Sequence, residues 1–85
     1  MPLVEIYVKT TCSYCIRARR LLDSKGVDYQ LYVLDPGSER KQEMVQRSLG
    51  RTTVPQIFIN GRHVGGCDDL YSLDRQGKLE LLLAA

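Results

Sequence analysis

Two cysteines separated by two residues, in Cys12-Ser13-Tyr14-Cys15, constrain this chain more than any other feature. They follow the apolar, β-rich run Leu3–Val8. They precede a helical pattern, Cys15–Lys25, in which Ile16, Ala18, Leu21 and Leu22 fall on or near one face with arginines on the other. A strand that ends in Cys-x-x-Cys and runs into a helix is the layout of a dithiol redox site. At a helix start, positions i and i+3 share a face, which brings their Cα atoms within the ~4.4–6.8 Å a disulfide needs. The first cysteine also meets unpaired backbone N–H groups and the positive end of the helix dipole, and both favour the nucleophilic thiolate. Cys12 is therefore the candidate nucleophile, with Cys15 as its partner.

The 85 residues suit one domain, residues 1–85, and a chain this short buries only about 60–65% of its unfolded surface. A formal charge of +2 is too small to argue for nucleic acid or a membrane surface. The charge is uneven, however. Lys9, Arg17, Arg19, Arg20 and Lys25 outnumber Glu5 and Asp23 by three over Met1–Lys25, around the cysteine pair. That excess would help hold a thiolate or an anionic substrate. An odd count of three cysteines argues against a secreted disulfide scaffold. Met1-Pro2 leads straight into a strand-like run with no signal pattern, and no apolar stretch approaches the ~20 residues of a membrane span. A reducing compartment, the cytoplasm, is the expected location.

Gly26 fits a helix C-terminal stop, and Tyr29–Leu34 reads as a second strand. Asp35-Pro36-Gly37-Ser38 forms a turn into a second helix, Glu39–Leu49, with Ser38 as a candidate cap and Met44, Val45 and Leu49 facing inward. Val54–Asn60 is a third strand, Asn60-Gly61 a hairpin turn, and Arg62–Gly65 a fourth strand. Asp68–Arg75 is helical, Gly77 interrupts, and Lys78–Ala84 adds a last turn or two. The order β-α-β-α-β-β-α makes an α/β domain with a mixed four-stranded sheet. The first pair is parallel, the last antiparallel, and helices cover both faces.

Each chemical motif has a plainer reading beside the sharper one. A lone Cys-x-x-Cys can be half of a zinc site, but zinc wants two more Cys or His ligands at similar spacing. Only His63 and Cys67 are on offer, across a Gly-Gly break, and the strand–loop–helix context favours redox chemistry. Pro55, in Thr52-Thr53-Val54-Pro55-Gln56, is either a trans proline entering a strand or a cis proline. In the cis case, Val54 would offer its N–H and C=O to an extended peptide. Gly65-Gly66-Cys67-Asp68-Asp69 is either a turn with a helix cap or a headgroup site. There, free N–H groups near Gly66 would take a carboxylate and an Asp an ammonium. Cys67 reads as a small buried hydrophobe rather than a reactive thiol. Tyr14, inside the cysteine motif, is expected to line the site. Tyr7, Tyr29, Tyr32 and Tyr71 are expected to pack with wet hydroxyls, and His63 shows no partner.

With these motifs in place, nearly the whole chain resembles the glutaredoxins, in their small bacterial form. The resemblance rests on Val4-Glu5-Ile6-Tyr7, Lys9, Thr11-Cys12-Ser13-Tyr14-Cys15, Gly50 to Ile59, and Gly65-Gly66-Cys67-Asp68-Asp69-Leu70. It implies a thioredoxin fold, a cis Pro55, and glutathione as reductant and co-substrate. It implies that Lys9 and Arg51 hold the glycine carboxylate of glutathione and that Thr53 and Val54 pair with its cysteinyl backbone. Cys67, through its N–H, and Asp68 would hold the γ-glutamyl end. The implied activity is glutathione-dependent thiol–disulfide exchange on glutathionylated or disulfide-containing proteins, with ribonucleotide reductase among the partners the family suggests.

Ser13 departs from the common family motif, which has proline there. Serine restores an N–H and loosens the turn. Within the family this exchange accompanies some members that hold a [2Fe-2S] cluster between two subunits. The rival implied function is thus a cluster carrier or sensor in which Cys12 of each of two chains and two glutathione thiolates are the four ligands. The enzyme is expected as a monomer, with a dimer only when a cluster is bound.

Overall fold

A computed structural model describes residues 2–84. The elements run β1 (Val4–Val8), α1 (Ser13–Ser24), β2 (Gln30–Val33), α2 (Arg40–Arg47), β3 (Gln56–Ile59), β4 (Arg62–Gly65), α3 (Cys67–Arg75) and α4 (Leu79–Leu83). The four strands form one sheet in the order β2-β1-β3-β4. β1 pairs parallel with β2 and antiparallel with β3, and β3 pairs antiparallel with β4. The expected mixed sheet and the thioredoxin fold are both present.

Strand alternation sorts the core into two layers. Val4, Ile6 and Val8 of β1 and Ile57 and Ile59 of β3 face α1, α3 and α4, where Ala18, Leu22, Leu70 and Leu79 are fully buried. The intervening Tyr7 and Phe58 face the other way and pack with Leu34 and with Met44 of α2. The hairpin between β3 and β4 turns on Asn60 and Gly61, both with positive φ (52° and 81°), as a two-residue turn with matching twist requires. Among the described residues no helix is long and apolar enough to cross a membrane.

Several local expectations are corrected. Helix α1 begins at Ser13, not Cys15, because Cys12 itself caps it. Ile16 is 45% exposed, since the buried stripe runs through Cys15, Ala18 and Leu22 and leaves its neighbour to one side. β3 starts at Gln56, after Pro55, which has no N–H for the ladder. Leu49 is 94% exposed rather than inward. Helix α2 ends in a Schellman turn, in which Leu49 N–H donates to Gln46 O (3.3 Å) and Gly50 N–H to Val45 O (2.8 Å). The left-handed residue of that turn is Leu49 (φ 58°), so its side chain swings into solvent. The N-cap of α2 is Glu39, not Ser38, although the Ser38 hydroxyl one residue earlier accepts a hydrogen bond from Arg40 N–H (3.1 Å).

The tyrosine hydroxyls are not left to water. Tyr7 is fully buried and its hydroxyl lies between Glu43 and Arg47. Tyr32 donates to Glu5 (2.9 Å), Tyr29 accepts from Arg19 (3.2 Å), and Tyr71 donates to Arg17 O (3.2 Å). His63 has a partner after all, the Gln56 side chain at 2.7 Å.

Candidate active site

Cys12 sits in extended conformation (φ −89°, ψ 114°) as the N-cap of α1. Its Sγ accepts a hydrogen bond from Cys15 N–H at 3.2 Å. This is the capping geometry that Ser or Asp oxygen makes elsewhere, with sulfur in place of oxygen. Backbone donation and the helix dipole both stabilise negative charge on that sulfur. Cys12 is partly exposed, whereas Cys15 and Cys67 are buried, and all three are free thiols. Burial, and then a hydrogen bond to the Cys12 side chain, push the Cys15 thiol up to about 12. Burial likewise raises Cys67. Only Cys12 is therefore both accessible and electrostatically supported.

The Cys12 sulfur lies 3.7 Å from Val54 O. Val54 opens onto a cleft of about 440 Å³ lined also by Tyr14, Arg51, Thr53, Pro55, Gly66, Cys67, Asp68 and Asp69. The Val54–Pro55 peptide bond is cis. The cleft thus gathers three sequence-distant segments: the helix start at Tyr14, the loop before β3, and the start of α3. Gly66 is close-packed there, since a Cβ at that position would sit 3.4 Å from Pro55 O. Gly65, with φ 122°, leaves no room for a side chain beside Asp69.

Eight of the nine residues expected to bind substrate line this cleft: Tyr14, Arg51, Thr53, Val54, Pro55, Gly66, Cys67 and Asp68. Lys9 does not. It lines a second cleft of about 470 Å³ with Thr10, Thr11, Asp35 and Lys41, and touches the site through its carbonyl, which accepts from Cys12 N–H at 3.3 Å.

Sequence reasoning left Asp69 without a role. Its carboxylate accepts from Gly66 N–H (2.9 Å) and lies 3.7 Å from the Arg51 guanidinium. It therefore caps α3 and links that helix to the opposite wall of the cleft. An acid three residues after a glycine cap is half of a capping box, and that spacing was the available signal.

A [2Fe-2S] cluster takes four sulfur-class ligands. Among the described residues one cysteine sulfur, that of Cys12, is accessible, and no group of three or more His, Cys, Asp or Glu is placed to hold a metal. One chain alone does not fit a cluster.

The glutaredoxin family profile matches residues 4–64. The chain is 58% identical over 83 residues to glutaredoxin 3 of Escherichia coli strain K12, covering 98% of this chain and 99% of that protein. It is 54% identical over 85 residues to a glutaredoxin of Pseudomonas aeruginosa, covering all of both. Among solved structures, a buckwheat glutaredoxin–glutathione complex superposes with a TM-score of 0.88 at 37% identity, over 98% of this chain and 77% of that one.

Proposed function

This chain belongs to the glutaredoxin family, and from that premise we propose that it is a glutathione-dependent thiol–disulfide oxidoreductase acting through Cys12. The observation that carries the reading is the pairing of one accessible, helix-capping sulfur with a cleft 3.7 Å away at Val54. Glutathione of a mixed disulfide would lie in that cleft, its backbone against Thr53 and Val54. Its glycine carboxylate would lie toward Arg51, and its γ-glutamyl end would lie at Gly66, Cys67 and Asp68.

The Cys12 thiolate attacks the glutathionyl sulfur. A Cys12–glutathione disulfide forms, the bond to the substrate protein breaks, and that protein leaves as a thiolate that takes up a proton. A second glutathione thiolate then attacks the glutathionyl sulfur, releasing glutathione disulfide and restoring Cys12. In the dithiol variant Cys15 attacks Cys12 instead, releasing glutathione and forming Cys12–Cys15. For a protein disulfide, Cys12 would attack one sulfur, and Cys15 would then attack Cys12 of the mixed disulfide and release the protein dithiol. Two glutathiones would return Cys12–Cys15 to thiols, leaving as glutathione disulfide.

The test is glutathione-dependent reduction of a glutathionylated peptide. Cys12→Ser should abolish it, and substantial residual activity would sink the assignment. A protein that stays inactive but turns into a brown dimer on reconstitution with iron, sulfide and glutathione would favour cluster carriage instead.

A further inference from the structure

Gln56 has no exposed surface, and the reaction above makes no use of its side chain. Yet its carboxamide is fully engaged. Nε2 donates to Thr53 O at 3.0 Å and approaches the Thr53 hydroxyl at 3.3 Å. Oε1 lies 2.7 Å from Nε2 of His63. An amide oxygen only accepts, so His63 Nε2 carries the proton in that contact. The His63 ring itself packs against buried Phe58, tilted by 33° with centroids 5.0 Å apart.

Residues 51–53 are exposed and belong to no helix or strand. Their shape must come from side-chain anchors, and the structure shows two. Ser48, buried at the end of α2, accepts from Arg51 N–H (3.1 Å) and donates to Arg51 O (3.2 Å). Gln56 holds Thr53 at the other end. Turning the Gln56 amide over would set oxygen against oxygen at Thr53 O and force the His63 ring into its other tautomer, both at part-buried contacts.

We propose that Gln56, locked by His63, is a positioning residue: it fixes Thr53, and through it the Val54 backbone that receives the peptide part of glutathione. This rests on the glutathione reading given above. A wall fixed in advance spares the ordering cost that a loose loop pays on binding. The Cys12 sulfur approaches Val54 O (3.7 Å) but is also held by Cys15 N–H in the first turn of α1 (3.2 Å), so the effect falls mainly on binding rather than on the exchange step.

The experiment is steady-state reduction of a glutathionylated peptide by wild type, Gln56→Met, His63→Leu and the double variant, with amide order parameters for each. Gln56→Met keeps the side-chain length and removes both polar ends. Its KM for the peptide should rise about five- to tenfold, with kcat within about twofold of wild type. His63→Leu, at a partly exposed strand position, should raise KM less, by roughly two- to threefold. The double variant should be no worse than Gln56→Met, because His63 acts through Gln56. Order parameters at Thr53 and Val54 should drop below the rigid value of ~0.85 while those of Ile57–Ile59 hold. Unchanged KM in both single variants overturns the proposal, as do additive losses or a fall in kcat that matches the rise in KM. If wild type fails to turn over the peptide, the glutathione reading fails and takes the proposal with it. If wild type turns over and the variants match it, the proposal fails alone.

Discussion

Arg47→Met should be a costly single change on the α2 face of the sheet. Arg47 grips Glu5 with two parallel bonds, Nη2 to Oε1 at 2.9 Å and Nη1 to Oε2 at 3.0 Å. It donates to the Tyr7 hydroxyl at 2.8 Å and lies 4.1 Å from the Phe58 ring centroid. Without it, Glu5 keeps only the Tyr32 hydroxyl. Orphaning one member of a buried pair costs about 3–5 kcal/mol. The Arg47 side chain is 28% exposed against 11% for Glu5, so water offsets part of that, leaving roughly 2–4 kcal/mol. With a urea slope of about 1 kcal/mol/M for so small a chain, the unfolding midpoint should fall by on the order of 2 M. The pH dependence follows from Glu5, whose carboxyl the Arg47 hydrogen bonds hold below its ordinary 4.5. A depressed carboxyl stabilises the fold above its unfolded pKa, and that contribution is lost as pH falls through the folded value. The gap between wild type and variant should therefore be full at pH 7 and shrink as the pH drops below 4.5. Glu5→Met/Arg47→Met, with neither charge orphaned, should regain most of the loss. A midpoint shift under ~0.5 M at pH 7, or a gap indifferent to pH, would refute the reasoning.

Three further outcomes are open to direct measurement. Leu49→Gly should raise the melting temperature by about 3–6 °C, because a bulky residue at φ 58° gives way to one with no left-handed penalty and no contact is lost. Gly65→Ala should cost about 2 kcal/mol or more in urea unfolding, since φ is 122° and the new Cβ would drive into the Asp69 carboxylate that caps α3. Iodoacetamide at neutral pH should add one label, at Cys12, by mass spectrometry of the folded protein. Labelling of Cys15 or Cys67 would contradict their burial and raised thiols.

What the sequence made legible was whatever repeats locally. Alternation along Val4–Val8, the glycines at 26, 61 and 77, and the Asn60-Gly61 turn each act through their own φ, ψ or pleat, so their elements appeared where expected. Contacts between distant polar groups had no such local signature. Glu5 and Arg47 are 42 residues apart, and Tyr7 and Glu43 are 36 apart. Nothing in the periodicity of either segment says that they meet. The Gln56–His63 contact is nearer in sequence but depends on the β3–β4 register. Leu49 shows the opposite failure. The helical pattern was real, but it was carried two residues past Arg47, into a Schellman turn whose left-handed position is usually glycine. Lys9 was grouped with Arg51 by the family resemblance, and a resemblance in sequence does not say which of two clefts the side chain lines here.

The two active-site sulfurs are unequal for a reason built into helix geometry. Cys12 is the cap, outside the helical repeat, and its sulfur stays partly exposed, 3.7 Å from Val54 O. Cys15, three residues on, falls on the stripe that continues through Ala18 and Leu22 into the core, and is 1% exposed. A Cys-x-x-Cys pair at a helix start therefore buries its second sulfur by the same periodicity that brings it within reach of the first. Burial is the leading reason that the Cys15 thiol stands at about 12, and it persists once Cys12 is glutathionylated. A thiol raised by burial is less often the attacking thiolate, which makes Cys15 the slower resolving thiol. A free glutathione thiolate arriving from solvent has no such handicap. Cys15→Ser should accordingly keep most of the turnover on a glutathionylated peptide. It should lose reduction of an intramolecular protein disulfide, where no glutathione is yet attached and Cys15 is the sulfur already in place. Loss of both activities would mean that Cys15 ionises far more readily than its burial allows.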